Sequence, residues 1–332
     1  MKRHHHRQIR ISPMTRLRCA ILDDYLNVSL KLADWSKIED RVDVTVFSQP
    51  FASPEAAVSA LKDFEVICAM RERTPFPHAM FDALPKLKLL ITSGMRNNSI
   101  DMAAAKDKGV VICGTHWPRD PTAPLTMGMI LELTRNIGRE SARMHAGEYL
   151  QKHIGIEIEG KTLGVIGLGK LGAKVAGLAK AFGMNVIAWS PNLTAERCKE
   201  VGVGYATKEE LFATADIITI HVVLSDRSRG LVGAADLARM KPTSFIVNTA
   251  RGPIIDEMAL LETLKARKIA GAAVDVFSVE PLPVDYPFRK LDNLVLTPHL
   301  GYVTQETFIA HYNQMVEGID AWFKGEPVRR LA

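Results

Sequence analysis

Short apolar runs recur along the chain, separated by stretches whose apolar positions return every three or four residues. The runs at 17–22, 42–47, 65–70, 87–92 and 110–113 read as strands, with helical patterns at 54–62, 80–84 and 101–108 between them. A polar, proline-bearing loop at 114–124 follows, then a long helical pattern from about 125 towards 147. A second alternating series has strands at 162–166, 185–189, 217–222, 244–248, 271–276 and 293–296, helices at 171–182 and 257–266, and a terminal helix at 304–324. Continuous apolar strands alternating with helices imply parallel sheets covered on both faces. The expected fold class is α/β, with two successive doubly wound parallel-sheet domains.

Length agrees, since 332 residues at about 150 per domain allow two domains. The formal net charge of +5 hints at a polyanion until its placement is considered. The first 18 residues hold six of the 42 basic residues and no acid, which leaves 36 basic against 37 acidic residues, a balance of −1. A neutral body argues against a nucleic-acid footprint. Residues 1–13, with His4, His5 and His6, read as a disordered basic extension. They lack the apolar segment of a secretory signal, and no apolar stretch is long enough to span a membrane. Cys19, Cys68, Cys113 and Cys198 are scattered without metal-ligand spacing. Buried reduced thiols in a cytoplasmic protein without a metal site are therefore expected.

Chemistry enters at Val165-Ile166-Gly167-Leu168-Gly169-Lys170-Leu171-Gly172, a GxGxxG leaving an apolar strand and opening a helix. Gly167 permits the tight turn, Gly169 lets a pyrophosphate approach the backbone, and Gly172 lets helix and strand pack closely. The helix start at Lys170 and Leu171 offers unpaired N–H groups to the anion. A dinucleotide fold places an acid about 20 residues on, where it binds the ribose hydroxyls. Here the second strand ends at Trp189, and Ser190 stands in the acid's place. Ser190 and Asn192 can hydrogen-bond a ribose, while the next cation along the chain is Arg197. The expected cofactor is NAD ahead of NADP.

Three later segments place reactive side chains just after buried strands: Arg251, Glu280 and His299. In a parallel sheet such loops share the carboxyl edge, where ligands bind. The set suits ketone reduction. An imidazole can donate a proton to a developing alkoxide, a carboxylate orients it, and a guanidinium clamps a carboxylate and polarises the adjacent carbonyl.

These motifs resemble the D-isomer-specific 2-hydroxyacid dehydrogenases, which include phosphoglycerate and glyoxylate/hydroxypyruvate enzymes. The resemblance rests on Gly167–Gly172, on Met240-Lys241-Pro242 leading to Asn248 and Arg251-Gly252, on Gly271 with Asp275-Val276-Phe277 and Glu280-Pro281, and on Thr297-Pro298-His299 with Gly301. It implies Arg251 as the substrate-binding arginine, His299 as acid/base and Glu280 as its partner. Asp275 is implied near the nicotinamide, with cofactor contacts around His221, Thr249, Ala250 and Gly301. It also implies a dinucleotide domain at 115–298 inserted into a substrate domain of 14–114 plus 299–332, and a homodimer through the inserted domain.

The chain departs from the family at several points. Ser93-Gly94-Met95-Arg96 carries Arg96 where a second glycine is usual, although a backbone anion site at Met95 and Arg96 needs only N–H groups. Arg71 matches an arginine-bearing loop and is a lesser candidate for substrate contact. Ala123-Pro124 replaces the usual Ala-Glu, and Pro124 fits a first helical turn because its missing N–H would be unpaired there. The expected activity is hydride transfer between NAD(P)H and the carbonyl of a 2-keto acid, giving a D-2-hydroxy acid. The alternatives are a cofactor-sensing corepressor-like protein and a phosphite- or formate-type dehydrogenase. Formate enzymes usually show glutamine where Glu280 stands.

Overall fold

A computed structural model describes residues 16–332, so the basic extension 1–13 lies outside the described residues. The chain divides into two compact units, one running to Arg119 and resuming over Thr304–Ala332, the other spanning Asp120–Val303. These boundaries fall five residues later at each end than the sequence suggests (119 against 114, 303 against 298), which puts His299 and Gly301 in the second unit. Hydrogen bonds described below tie the 297–301 loop to Asp275 and Thr122 of that unit.

In chain order the first unit contains β1 (Leu17–Ile21), α1 (Ser29–Leu32), β2 (Val42–Val46), α2 (Pro54–Leu61), β3 (Val66–Ala69), α3 (His78–Ala83), β4 (Leu89–Thr92), α4 (Met102–Asp107) and β5 (Val111–Cys113). All four residues of β3 and of β4 are buried, as central strands covered on both faces must be. The sheet is parallel in the order β2-β1-β3-β4-β5, the flavodoxin-like winding. The last residues return to its edge, where Leu331 N–H donates to Ile112 O at 2.7 Å.

The second unit contains α5 (Thr122–Arg135), α6 (Ile137–His145), β6 (Thr162–Ile166), α7 (Lys170–Ala181), β7 (Asn185–Trp189), α8 (Ala195–Val201), β8 (Gly204–Tyr205), α9 (Lys208–Thr214), β9 (Ile217–Ile220), α10 (Ala234–Leu237), β10 (Phe245–Asn248), α11 (Glu257–Lys265), β11 (Gly271–Val274) and β12 (Leu294–Leu296). The closing helix of the chain, α12 (Gln305–Phe323), belongs to the first unit. The seven strands are parallel in the order β12-β11-β10-β9-β6-β7-β8. Winding reverses between β6 and β9, so their carboxyl ends form the switch point where dinucleotides bind in such sheets. Strand alternation builds two cores: Ile246 joins the cluster with α9, α10 and α11, while Phe245 and Val247 join the one with α5 and α7. The expected class, two doubly wound parallel sheets, is the observed one.

Three details differ from the sequence reading. The long helix expected from 125 to 147 is two helices, broken at Asn136 in the left-handed region (φ 53°, ψ 37°). Asparagine tolerates that conformation, and the break is held because Gly138 N–H donates to the Glu132 carboxylate at 2.8 Å. The first of these helices begins at Thr122, so Pro124 does sit in the opening turn. The region between β7 and β9 holds α8, β8 and α9, which apolar patterning missed because their surfaces are mostly polar. The capping box of Thr207 and Glu210 was a readable signal for α9.

Candidate active site

The glycine turn joins β6 to α7. Gly167 has φ +97°, and a Cβ there would lie 2.9 Å from the carbonyl carbon and oxygen of His221 at the end of β9. The turn therefore packs directly on the switch point. A Cβ on Gly172 would meet Gly167 O at 2.0 Å, so helix and turn are in backbone contact. Gly169, by contrast, faces open space. It caps α7 with no side chain bonded to the first-turn amides, leaving Lys170, Leu171 and Gly172 N–H without helical acceptors. That is the cradle a pyrophosphate requires. Lys170 turns its ammonium to Asp120 at 3.1 Å.

His221 follows β9. Its Nε2 lies 3.0 Å from Thr219 Oγ1, and its buried Nδ1 has no partner among the described residues. Burial pushes its pKa down to about 3, so the ring is neutral. Thr249 and Ala250 follow β10: Thr249 Oγ1 contacts Thr126 Oγ1 at 2.9 Å, and Ala250 N–H donates to Asn248 Oδ1 at 3.0 Å. Ser190 is half-buried just past β7, and Asn192 is exposed. Sequence reasoning saw no cation near this ribose position. Yet Arg227, from the loop after β9, donates to Asn192 Oδ1 at 3.3 Å, whereas Arg197 is turned to Glu200. A 35-residue separation leaves no local signal for such a contact.

The histidine and its carboxylate come together as expected. His299 Nδ1 lies 2.6 Å from Glu280 Oε2, and Glu280 Oε1 accepts from Phe277 N–H at 2.9 Å. His299 has φ +54°, a conformation costly for a non-glycine residue unless its surroundings impose it. They do so through Asp275. Its Oδ1 accepts from Thr297 Oγ1 and Leu300 N–H, both at 2.6 Å, and its Oδ2 from Gly301 N–H at 2.8 Å. Thr122 Oγ1 adds a bond to Gly301 O at 2.9 Å. Tyr302 packs edge-on against the imidazole, with ring centroids 5.6 Å apart. Asp275 is fully buried, and burial raises its pKa against those hydrogen bonds. It thus holds the backbone that carries His299, a task sequence reasoning did not give it.

Arg251 follows β10, half-buried, with Nη1 donating to Ala250 O at 2.7 Å and its own carbonyl accepting from Asn248 Nδ2 at 2.9 Å. The next residue explains how its loop joins the rest. A Cβ on Gly252 would come within 2.1 Å of the Phe277 carbonyl carbon, so this loop lies directly on the one leading to Glu280.

Arg71, Met95 and Arg96 belong to the first unit. Arg71 (φ +54°) donates through Nη1 to Ser93 O at 3.0 Å, and its guanidinium stacks 4.9 Å from the centre of the Trp117 ring. Trp117 in turn meets His311 edge-on at 4.8 Å. Burial, then the Arg71 charge, pushes the His311 pKa down to about 4, so this ring is also neutral at pH 7. Gly94 N–H is committed to Thr115 Oγ1 at 2.9 Å. Among the described residues the next two amides, of Met95 and Arg96, donate to nothing. Both residues are exposed. No group of side chains among the described residues could hold a metal ion, and no described helix is long and apolar enough to cross a membrane.

Comparison with known proteins fits this geometry. Residues 127–301 match the family described as D-isomer specific 2-hydroxyacid dehydrogenase, NAD binding domain. Over 275 residues the chain is 40% identical to a D-3-phosphoglycerate dehydrogenase of Methanocaldococcus jannaschii, covering 82% of this chain and 52% of that one. The chain thus spans about half the length of the curated phosphoglycerate dehydrogenases it matches. It is 30% identical to a glyoxylate reductase of Korarchaeum cryptofilum, covering 88% and 90% of the two chains. Among solved structures, a putative D-3-phosphoglycerate dehydrogenase from Ralstonia solanacearum superposes with a TM-score of 0.89 at 31% identity, covering 95% and 96%. With a parallel sheet wound around a dinucleotide turn and a histidine–glutamate pair at its carboxyl edge, the chain belongs to the D-isomer specific 2-hydroxyacid dehydrogenase family.

Proposed function

We propose that the protein reduces a 2-keto acid to a D-2-hydroxy acid. The observation that carries this reading is the His299–Glu280 pair, held by Asp275 on the same sheet edge as the open glycine cradle. A bound nicotinamide dinucleotide supplies the hydride that reaches the carbonyl carbon. Glu280 orients the ring through Nδ1, so that Nε2 delivers the proton to the developing alkoxide. Arg251, steadied by Ala250 O, binds the substrate carboxylate and polarises the carbonyl. In the first unit the unbonded Met95 and Arg96 amides suit an oxyanion, and we assign them, with Arg71, to substrate recognition.

The test follows absorbance of NADH and NADPH with glyoxylate, hydroxypyruvate and a panel of larger 2-keto acids. Oxidation of the cofactor with at least one acid is expected. Tight cofactor binding without turnover on any of them would leave a cofactor-binding protein and sink the enzymatic reading.

We also propose a homodimer built through the second unit, in a cytoplasmic protein whose four buried free thiols suit a reducing compartment. Helix α6 and the segment after it leave Ile137, Met144, Tyr149, Leu150 and Ile154 exposed, Ile154 at 96%. Apolar surface of this kind is normally covered by a partner. Sedimentation at micromolar concentration should show a dimer that Ile154→Asp weakens, and a monomeric wild type would refute it.

A further inference from the structure

We infer that Arg227, together with Ser190 and Asn192, forms a seat for the 2′-phosphate of NADP, so that NADPH rather than NADH is the preferred hydride donor. The inference rests on the dinucleotide reading of the glycine turn and asks which adenosine ribose the second unit accepts. Ser190 occupies the place from which a carboxylate would bind the 2′-hydroxyl of NAD and repel a 2′-phosphate. A hydroxyl there removes the repulsion and can donate to a phosphate oxygen. That alone leaves the choice open, and the loop after β9 decides it.

The guanidinium of Arg227 is anchored on Asn192 Oδ1 at 3.3 Å, two residues beyond Ser190. Among the described residues no carboxylate pairs with it. The nearest acids in sequence are Asp226 beside Arg227 and Glu196 beyond Asn192, and neither is its partner. The loop carrying it is internally braced. Ser228, nearly buried, accepts from Ser225 N–H at 2.8 Å and donates to Val223 O at 2.7 Å. A cation held beside the ribose position by a braced loop is preorganised for a dianion, and guanidinium–phosphate bonds are among the stronger hydrogen bonds in proteins. The same contact reverses the preference for NAD drawn from the sequence, where Arg197 was the nearest visible cation and is spent on Glu200 at 2.9 Å.

Calorimetric titration with adenosine 2′,5′-bisphosphate and with 5′-AMP isolates the 2′-phosphate without requiring turnover. The wild type should bind the bisphosphate at least about tenfold more tightly than AMP, as expected for a charge-assisted hydrogen bond. Arg227→Ala should shrink that ratio by about tenfold, and Arg227→Lys should restore part of it. The kcat/KM ratio of NADPH to NADH should move in parallel. A wild-type ratio at or below one, or a ratio unaffected by Arg227→Ala while AMP still binds, overturns the seat alone. Failure of the wild type to bind either nucleotide overturns the dinucleotide reading, and this inference with it.

Discussion

Replacing His299 by Asn should lower kcat by roughly a hundredfold to ten-thousandfold, the range a positioned general acid contributes. Asparagine is the informative substitute because the position has φ +54°, and asparagine enters the left-handed region more readily than other L-residues. Its amide N–H can also replace the ring nitrogen as donor to Glu280 Oε2, now 2.6 Å from Nδ1. Fold and carboxylate should therefore survive while the proton is lost. Cofactor affinity and melting temperature should change little. A variant whose kcat stays within twofold of wild type would remove His299 from the chemistry.

The second large effect is structural. Gly172→Ala would place a methyl group 2.0 Å from Gly167 O, and neither partner is a side chain that can rotate away. Either α7 lifts from the turn or the turn opens, and both spoil the phosphate cradle. Overpacking of this severity costs about 3 kcal/mol, roughly a 6–12 °C fall in melting temperature for a unit of this size. Cofactor binding should be lost together with stability. Two other glycines separate the causes. Gly177, in the same helix, has nothing within 4 Å of a Cβ, so Gly177→Ala should be neutral or stabilising. Gly169 also faces open space, so Gly169→Ala should leave the melting temperature intact and weaken cofactor binding alone. Calorimetry on the three variants, with and without NADPH, checks this. Retention of wild-type stability and affinity by Gly172→Ala would refute the packing account.

Much of this was legible in the chain because parallel sheets write themselves plainly. Short, almost wholly apolar strands such as β3 and β4 are covered on both faces, and the loops that follow such parallel strands gather at one edge. Gly167–Gly172, Arg251, Glu280 and His299 could be placed after their strands that way. What stayed hidden depends on contacts between distant segments or on single backbone angles. Asn136 looked like another residue of a long helix, since nothing local shows that Glu132 will take the Gly138 amide. Arg227 lay too far along the chain for its contact with Asn192 to be read from it. The bond from Gly94 N–H to Thr115 Oγ1, which leaves the Met95 and Arg96 amides already indicated by the motif, likewise joins segments 21 residues apart.

Asp275 carries one more consequence. It grips the loop at Leu300 and Gly301 through amide hydrogens, which every residue except proline possesses. The imidazole is therefore aimed by backbone, and the side chain at 300 is not needed to aim it. Only 301 is constrained in kind, because a Cβ there would press within 3.2 Å of both Asp275 Oδ2 and Thr122 Oγ1. The side chain at 300 can thus be exchanged without changing where the imidazole of His299 points. The direction of the ring rests on bonds that a substitution at 300 leaves in place.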